Sequence, residues 1–126
     1  MTDRQILEPT AEHPITVEPA SGTVRVRIGD RIIAESADAL ELREAGYPPV
    51  YYLPLEAADP SVLTASSHSS YCPYKGEASY YSIEADGTTL SDKVWYYAEP
   101  YEAVAPIAGH IAFYPDAVDI DVTETP

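Results

Sequence analysis

The clearest structural signal in this chain is the stretch Thr23-Val24-Arg25-Val26-Arg27-Ile28-Gly29-Asp30-Arg31-Ile32-Ile33-Ala34. Apolar and basic side chains alternate through its first half, and this period of two is typical of a strand with one buried face. Gly29-Asp30 interrupts the alternation with glycine first, which suits a type II′ turn between antiparallel strands. We therefore predict a β-hairpin here, within a larger sheet.

The rest of the chain also favours strands over helices. Twelve prolines and six glycines interrupt the sequence too often for long helices, and eleven tyrosines favour half-buried strand positions. Residues 37–45 fit either a short helix or a strand, and residues 64–70 are predicted to be a Ser/Thr-rich loop. One short helix is predicted at residues 100–107, because Pro100 suits a helix start. Further strands are predicted at residues 15–17, 50–53, 79–84, 94–97, 111–114 and 118–122.

The length supports a single domain, since 126 residues can form one independent core but rarely two. Residues 13–122 are assigned to this domain. Residues 1–12 are polar and lack periodicity, so they predict a flexible N-terminal tail, and residues 123–126 predict a C-terminal tail. The predicted fold class is mainly β, with two packed antiparallel sheets and one short helix.

The charge balance excludes several classes of partner. Seven basic and 21 acidic residues give a formal net charge of −14. This charge repels nucleic-acid phosphates and acidic lipids, so we expect neither nucleic acid nor a membrane as a partner. No apolar run approaches the roughly 20 residues of a membrane-spanning helix, and the N-terminus lacks the pattern of a secretory signal. A cytoplasmic protein is expected, and its oligomeric state is left open.

The strongest site candidate is the turn Cys72-Pro73-Tyr74-Lys75-Gly76, which holds the single cysteine and one of two lysines. Pro73 fixes φ and Gly76 permits a positive φ, so the turn presents its side chains from a rigid base. Cys72 fits either a nucleophilic or redox thiol or a small buried residue. Lys75 fits either a cation that binds an anionic ligand group or one partner of a surface ion pair.

A second group of candidates lies near the double-proline turn Tyr47-Pro48-Pro49. Glu44 fits an acid/base or a hydrogen-bond acceptor for a ligand, or else a structural ion pair with its neighbour Arg43. The aromatic side chains fit either a stacking pocket for a flat ligand or the core of the sheet. The candidate catalytic residues are Cys72, Lys75 and Glu44. The candidate ligand-binding residues are Arg43, Tyr52, Tyr74, Tyr80 and Trp95.

We predict that most of these side chains converge on one concavity. Two rigid turns beside an aromatic strand face would form an apolar cleft with a few fixed polar groups. Burial there would raise the pKa of Glu44 unless the carboxylate pairs with Lys75 or Arg43. The residues predicted to converge are Arg43, Glu44, Tyr52, Cys72, Lys75, Tyr80 and Trp95.

Neither a metal nor another cofactor is expected. The chain has one cysteine, and His13, His68 and His110 are too scattered for the spacing of zinc ligands. Asp119 and Asp121 share one face of a predicted strand, as metal-dependent nucleotidyl transfer would require, but no Gly-Ser phosphate-binding motif precedes them.

Six segments within residues 13–119 resemble one known family. They are His13-Pro14-Ile15, residues 24–28, Arg43-Glu44-Ala45-Gly46-Tyr47-Pro48-Pro49-Val50-Tyr51-Tyr52, Cys72-Pro73-Tyr74-Lys75-Gly76, Val94-Trp95-Tyr96-Tyr97 and Ile107-Ala108-Gly109-His110-Ile111-Ala112-Phe113-Tyr114. Together they resemble the DUF427 family, a domain of unknown function. The resemblance implies an Mss4-like β fold, in which two sheets meet as a tent without a dedicated zinc site, and the family carries a provisional nucleotidyltransferase label. Many relatives have His or Thr where this chain has Tyr71.

These observations predict a domain that binds a small anionic or aromatic ligand in a pocket built around the Cys-Pro-Tyr-Lys-Gly turn. The alternative is an enzyme, for example a transferase, that uses Cys72 or Lys75 in the same pocket. A structural interaction domain is the third possibility.

Overall fold

Residues 5–124 are described by a computed structural model, and they form ten strands and three short 3₁₀ segments. The strands are β1 (Ile15–Pro19), β2 (Gly22–Ile28), β3 (Arg31–Ser36), β4 (Leu40–Glu44), β5 (Val50–Pro54), β6 (Leu63–Cys72), β7 (Gly76–Ala85), β8 (Thr88–Tyr96), β9 (His110–Phe113) and β10 (Asp119–Glu124). The 3₁₀ segments are Leu55–Ala57, Pro60–Val62 and Glu102–Ile107.

The strands form two antiparallel sheets, which confirms the predicted mainly β fold class. Seven strands follow the order β1-β4-β5-β9-β8-β7-β6, and three follow the order β10-β2-β3. The hairpin predicted from the alternating stretch is β2–β3, and Gly29 has the positive φ, 58°, that its turn requires. The Mss4-like topology stays a prediction.

In three segments the local structure corrects or refines the prediction. The loop predicted at residues 64–70 is wrong, because these residues belong to β6 at the edge of the larger sheet, where exposed serines leave no alternating signal. The ambiguous residues 37–45 contain the strand β4. The helix predicted at residues 100–107 is the 3₁₀ segment Glu102–Ile107, since Pro106 lies inside it and lacks a backbone N–H donor.

Each face of the seven-stranded sheet has its own apolar cluster. The first cluster packs the sheet against the three-stranded sheet and includes the fully buried Val26 and Val94. The second cluster covers the opposite face, where Tyr52 and Tyr80 pack with Ile107 from the last 3₁₀ segment. Neighbouring residues of one strand, such as Tyr52 and Leu53, therefore pack in different clusters. The face with the second cluster also carries the polar side chains of the candidate site.

The seven-stranded sheet has a weak point between β5 and β9. These strands share only two residue pairs, Leu53 with Ile111 and Pro54 with His110. On either side the pairing continues, from Val50 across to β4 and from Phe113 across to β8. The sheet therefore opens between the first half of β5 and the end of β9.

The ends of the described chain lie against the domain. The Leu7 N–H donates to the Pro73 carbonyl at 2.9 Å, and β10 continues to Glu124, two residues beyond the predicted domain boundary. Residues 1–4 and 125–126 of the predicted tails lie outside the described residues, and the tail assignments stay predictions. No helix within residues 5–124 has the length and apolarity needed to cross a membrane.

Candidate functional site

The Cys72–Gly76 turn is the loop of the β6–β7 hairpin. Cys72 pairs with Gly76 across the hairpin, and the Lys75 N–H donates to the Cys72 carbonyl at 3.2 Å. Gly76 has φ of +112°, a value that side chains disfavour strongly. The Lys75 carbonyl also accepts a hydrogen bond from the Tyr101 N–H at 3.0 Å, so the backbone that carries the lysine is fixed on both sides.

The Lys75 side chain reaches the carboxylate of Glu44, at the end of β4. Lys75 Nζ lies 2.6 Å from Glu44 Oε1, and His13 Nε2 lies 2.7 Å from Glu44 Oε2. His13 in turn stacks on the ring of Tyr74 at a centroid distance of 4.3 Å. The Lys75 and Glu44 side chains are only 12% and 17% exposed. Both carboxylate oxygens of Glu44 are therefore engaged in a largely buried cluster.

The partners of Glu44 determine its protonation. Burial alone would raise the pKa of this carboxyl, but the hydrogen bonds and charges of Lys75 and His13 outweigh burial and lower the pKa below its ordinary value. A raised pKa was expected only for a Glu44 without a cationic partner, and here Lys75 is that partner. Glu44 is therefore ionised at neutral pH, and its charge is balanced by the ammonium beside it.

A small cavity of about 170 Å³ lies next to this cluster, on the face of the sheet that carries the second apolar cluster. The Trp95 Nε1–H donates to the Tyr52 hydroxyl at 3.2 Å, and the hydroxyls of Ser70 and Tyr80 lie 2.7 Å apart. Four tyrosines and one lysine thus surround the same space. The lining residues are Leu42, Val50, Tyr52, Lys75, Tyr80, Trp95, Tyr97 and Tyr114.

Three of the cavity tyrosines, Tyr52, Tyr97 and Tyr114, have a raised pKa and keep their protons at neutral pH. Burial raises the pKa of Tyr52 and Tyr97 far above the ordinary value for tyrosine. Burial, together with the neighbouring Tyr80, raises the pKa of Tyr114 to about 12. At neutral pH these groups are uncharged hydroxyls that can each donate a hydrogen bond.

A larger cleft of about 590 Å³ adjoins the cavity at the opening between β5 and β9. Two of its lining residues, Val50 and Trp95, also line the cavity, and Glu44 borders the cleft while its partner Lys75 borders the cavity. The lining is mainly apolar and rich in proline. Its members are Glu44, Tyr47, Pro48, Pro49, Val50, Tyr51, Trp95, Phe113, Pro115 and Ile120.

The structure brings most of the predicted site residues together. Glu44 and Lys75 are paired, and the predicted aromatic residues Tyr52, Tyr80 and Trp95 line the cavity with Lys75. Two other predicted residues, Cys72 and Tyr74, do not line the cavity. Cys72 packs against the second apolar cluster, and Tyr74 stacks on His13.

Arg43 does not join this group, so its predicted place in the concavity is wrong. Successive side chains of a strand point to opposite faces, and Glu44 occupies the face of the cavity. Arg43 forms an ion pair with Glu41, and its side chain is 66% exposed.

Several site residues were not predicted from the sequence. In the sequence, His13 is one of three scattered histidines without metal-ligand spacing and part of the family-like segment His13-Pro14-Ile15. No local pattern links it to Glu44, since the two meet through the β1–β4 pairing. Tyr97 and Tyr114 each follow a residue of the second cluster by two positions, Trp95 and Ala112 respectively. Residues two positions apart on a strand share a face, so this spacing could have predicted that both tyrosines lie near the second cluster.

The three histidines lie in different surroundings, and His13 contacts Glu44. Within residues 5–124, no group of three His, Cys, Asp or Glu side chains is close enough to hold a metal ion. The His68 ring lies 4.5 Å from the Tyr80 ring, and His110 Nδ1 lies 3.0 Å from the Ala108 carbonyl. In the smaller sheet, Asp121 forms an ion pair with Arg27 at 2.6 Å.

Comparison with known proteins gave one family match. The family model described as a domain of unknown function, DUF427, with the label NTP_transf_9, matches residues 16–124. The comparison with curated proteins found no match to this chain.

Proposed function

The chain belongs to the DUF427 family, whose function is unknown, and from its site geometry we propose that it binds a small molecule through an oxyanion such as a carboxylate or a phosphate. The proposed site is the cavity beside Lys75. The observation that carries this proposal is the concentration of hydrogen-bond donors around one small space, since the Lys75 ammonium and four tyrosines line it together.

The donors define the chemistry that the cavity can accept. An ammonium group has three N–H donors and no acceptor, and Glu44 occupies the direction of only one of them. Buried tyrosine hydroxyls that stay protonated add further donors. A group rich in acceptor oxygens, above all an anionic one, satisfies such donors best. At about 170 Å³ the cavity is smaller than a typical drug-sized pocket, so it fits a head group rather than a whole ligand.

Glu44 is a positioning residue in this proposal. Its carboxylate is held by His13 on one oxygen and by Lys75 on the other, so it fixes the lysine while remaining engaged on both sides. A rigidly held ammonium binds an anion with less loss of side-chain entropy than a free one. The pair also explains how an acidic chain can keep one cation directed into a cavity.

The chain contains a single tryptophan, Trp95, in the wall of the cavity, and its emission therefore reports occupancy directly. We expect titration with acetate or inorganic phosphate to change this emission saturably. Lys75→Met should weaken the binding at least about tenfold, because the charged partner is lost. Arg43→Met is the control. It also removes one positive charge, but from an exposed side chain on the other face of β4, and this variant should bind like the wild type. Equal binding by the Lys75 variant, or no saturable binding by the wild type, would contradict the proposal.

An enzyme is the second candidate, with Cys72 or Lys75 as the reacting group. Cys72 supports it by packing against the same cluster as the cavity residues. The sign of such chemistry is a thiolate at low pH, so iodoacetamide should then alkylate Cys72 nearly as fast at pH 6 as at pH 9. Slow alkylation at pH 6, with oxyanion binding intact, favours a binding domain. If neither property is found, a structural interaction domain is the remaining possibility.

A further inference from the structure

We infer that the ligand also carries a flat apolar body, which lies in the cleft between β5 and β9, so that the ligand class is an aromatic carboxylic acid or a molecule of similar shape. This inference rests on the proposed oxyanion site, which it extends. The geometry that supports it is the adjacency of two unlike spaces, one rich in donors and one apolar, which share two lining residues.

The cleft exists because the sheet opens. Beyond the pair of Leu53 and Ile111, the strands β5 and β9 are no longer paired, and the first half of β5 stays with β4 while Phe113 stays with β8. A sheet normally closes such a gap with backbone hydrogen bonds. Here side chains line it instead, and they leave a space of about 590 Å³, within the range of small-molecule sites.

The cleft walls suit a flat apolar group. Three prolines, Pro48, Pro49 and Pro115, line the cleft, and proline restricts the backbone so that little ordering is needed on binding. Trp95 and Phe113 supply aromatic surface for stacking. The cleft is therefore both apolar and stiff, which favours a rigid ring over a flexible polar chain.

The two spaces adjoin at Val50 and Trp95, which line both. Lys75 lies on the cavity side of this boundary, and Glu44, 2.6 Å from it, lies on the cleft side. A ligand whose body occupies the cleft therefore directs its head toward Lys75. A neutral aromatic molecule would leave the cavity donors unused, and a small inorganic anion would leave the apolar walls exposed to water.

Three carboxylates with the same head and a growing body test this inference: acetate, benzoate and 2-naphthoate. We expect calorimetric affinity to rise by about tenfold or more with each added ring, because each ring removes apolar surface from water. Intermolecular nuclear Overhauser effects from the naphthoate protons should appear at the Phe113 ring and the Ile120 methyl groups, which line the cleft and not the cavity. These signals locate the body without any variant.

A variant that fills the cleft gives the second test. Ile120→Phe adds bulk to a residue that lines the cleft and not the cavity, and should weaken 2-naphthoate at least about tenfold while acetate binds unchanged. Ile32→Phe is the matched control, since Ile32 is exposed and lines neither space. Acetate binding that depends on Lys75, without any gain for the larger acids, would overturn this inference and leave the proposed function standing. If the wild type binds none of the three acids, both this inference and the proposed function are contradicted.

Discussion

Lys75 Nζ and Glu44 Oε1 lie 2.6 Å apart, although 31 residues separate them in the sequence. The lysine comes from the turn of the β6–β7 hairpin, whereas the glutamate ends β4 in a different part of the same sheet. This contact joins the Cys72–Gly76 turn to the end of β4 and places a charged pair beside an aromatic cavity. It is the central contact of the proposed site.

The ion pair should contribute measurably to stability. A double-mutant cycle with Lys75→Met and Glu44→Gln is expected to give a coupling free energy of about 1–3 kcal/mol, because both side chains are largely buried. Chemical denaturation of the four proteins measures it. The exposed pair of Arg25 and Glu35 is the matched control, and its coupling should stay within about 0–1 kcal/mol. Similar coupling for both pairs would show that burial does not strengthen the Lys75 contact.

Acid should remove the contribution of the ionised Glu44 side chain to the free energy of unfolding. Its pKa is lower in the folded state than in the unfolded chain, so the folded state binds its proton more weakly and is stabilised at neutral pH. The advantage of the wild type over Glu44→Gln in free energy of unfolding should be complete at about pH 6. It should shrink as the pH falls below 4.5, the ordinary pKa of the group. An advantage that stays constant down to pH 3 would contradict a lowered pKa.

High pH should lower the free energy of unfolding, because it favours deprotonation of tyrosines whose pKa is raised in the folded state. The pKa of Tyr114 rises from 10 to about 12 on folding, so the folded state holds this proton more tightly than the unfolded chain does. The resulting stabilisation is fully present below pH 10 and is lost as the pH rises from 10 to 12. Denaturation at several pH values should show this decline, and Tyr114→Phe should reduce its slope. An equally steep decline in Tyr114→Phe would contradict a raised pKa of Tyr114.

The turn that carries Lys75 depends on a glycine. Gly76 has φ of +112°, and a Cβ at this position would lie 3.4 Å from the Glu99 carbonyl oxygen. Gly76→Ala should therefore lower the free energy of unfolding by about 1–3 kcal/mol through backbone strain. It should also weaken acetate binding, because the turn that holds Lys75 must shift. Gly46→Ala is the control, since that glycine has open space around it and no positive φ.

Local features were predictable from the residues alone. The alternation in β2 fixes its buried face, because side chains of a strand point to opposite sides in turn. The Asp86-Gly87 pair between β7 and β8 is another local turn signal, since both residues tolerate the positive φ that they adopt. These signals lie within a few residues of one another, so a single sequence contains them.

The composition of the site depends on contacts that are distant in sequence. Arg43 and Glu44 are neighbours in the chain, but only the pairing of β4 as a strand shows that they face opposite sides. His13 meets Glu44 because β1 pairs with β4, and the cleft exists because β5 separates from β9. Strand order and register arise from the packing of the whole sheet, whereas the period of two arises from the local backbone. For this physical reason the sequence identified most residues of the proposed site, while their partners and the cleft beside them required the fold.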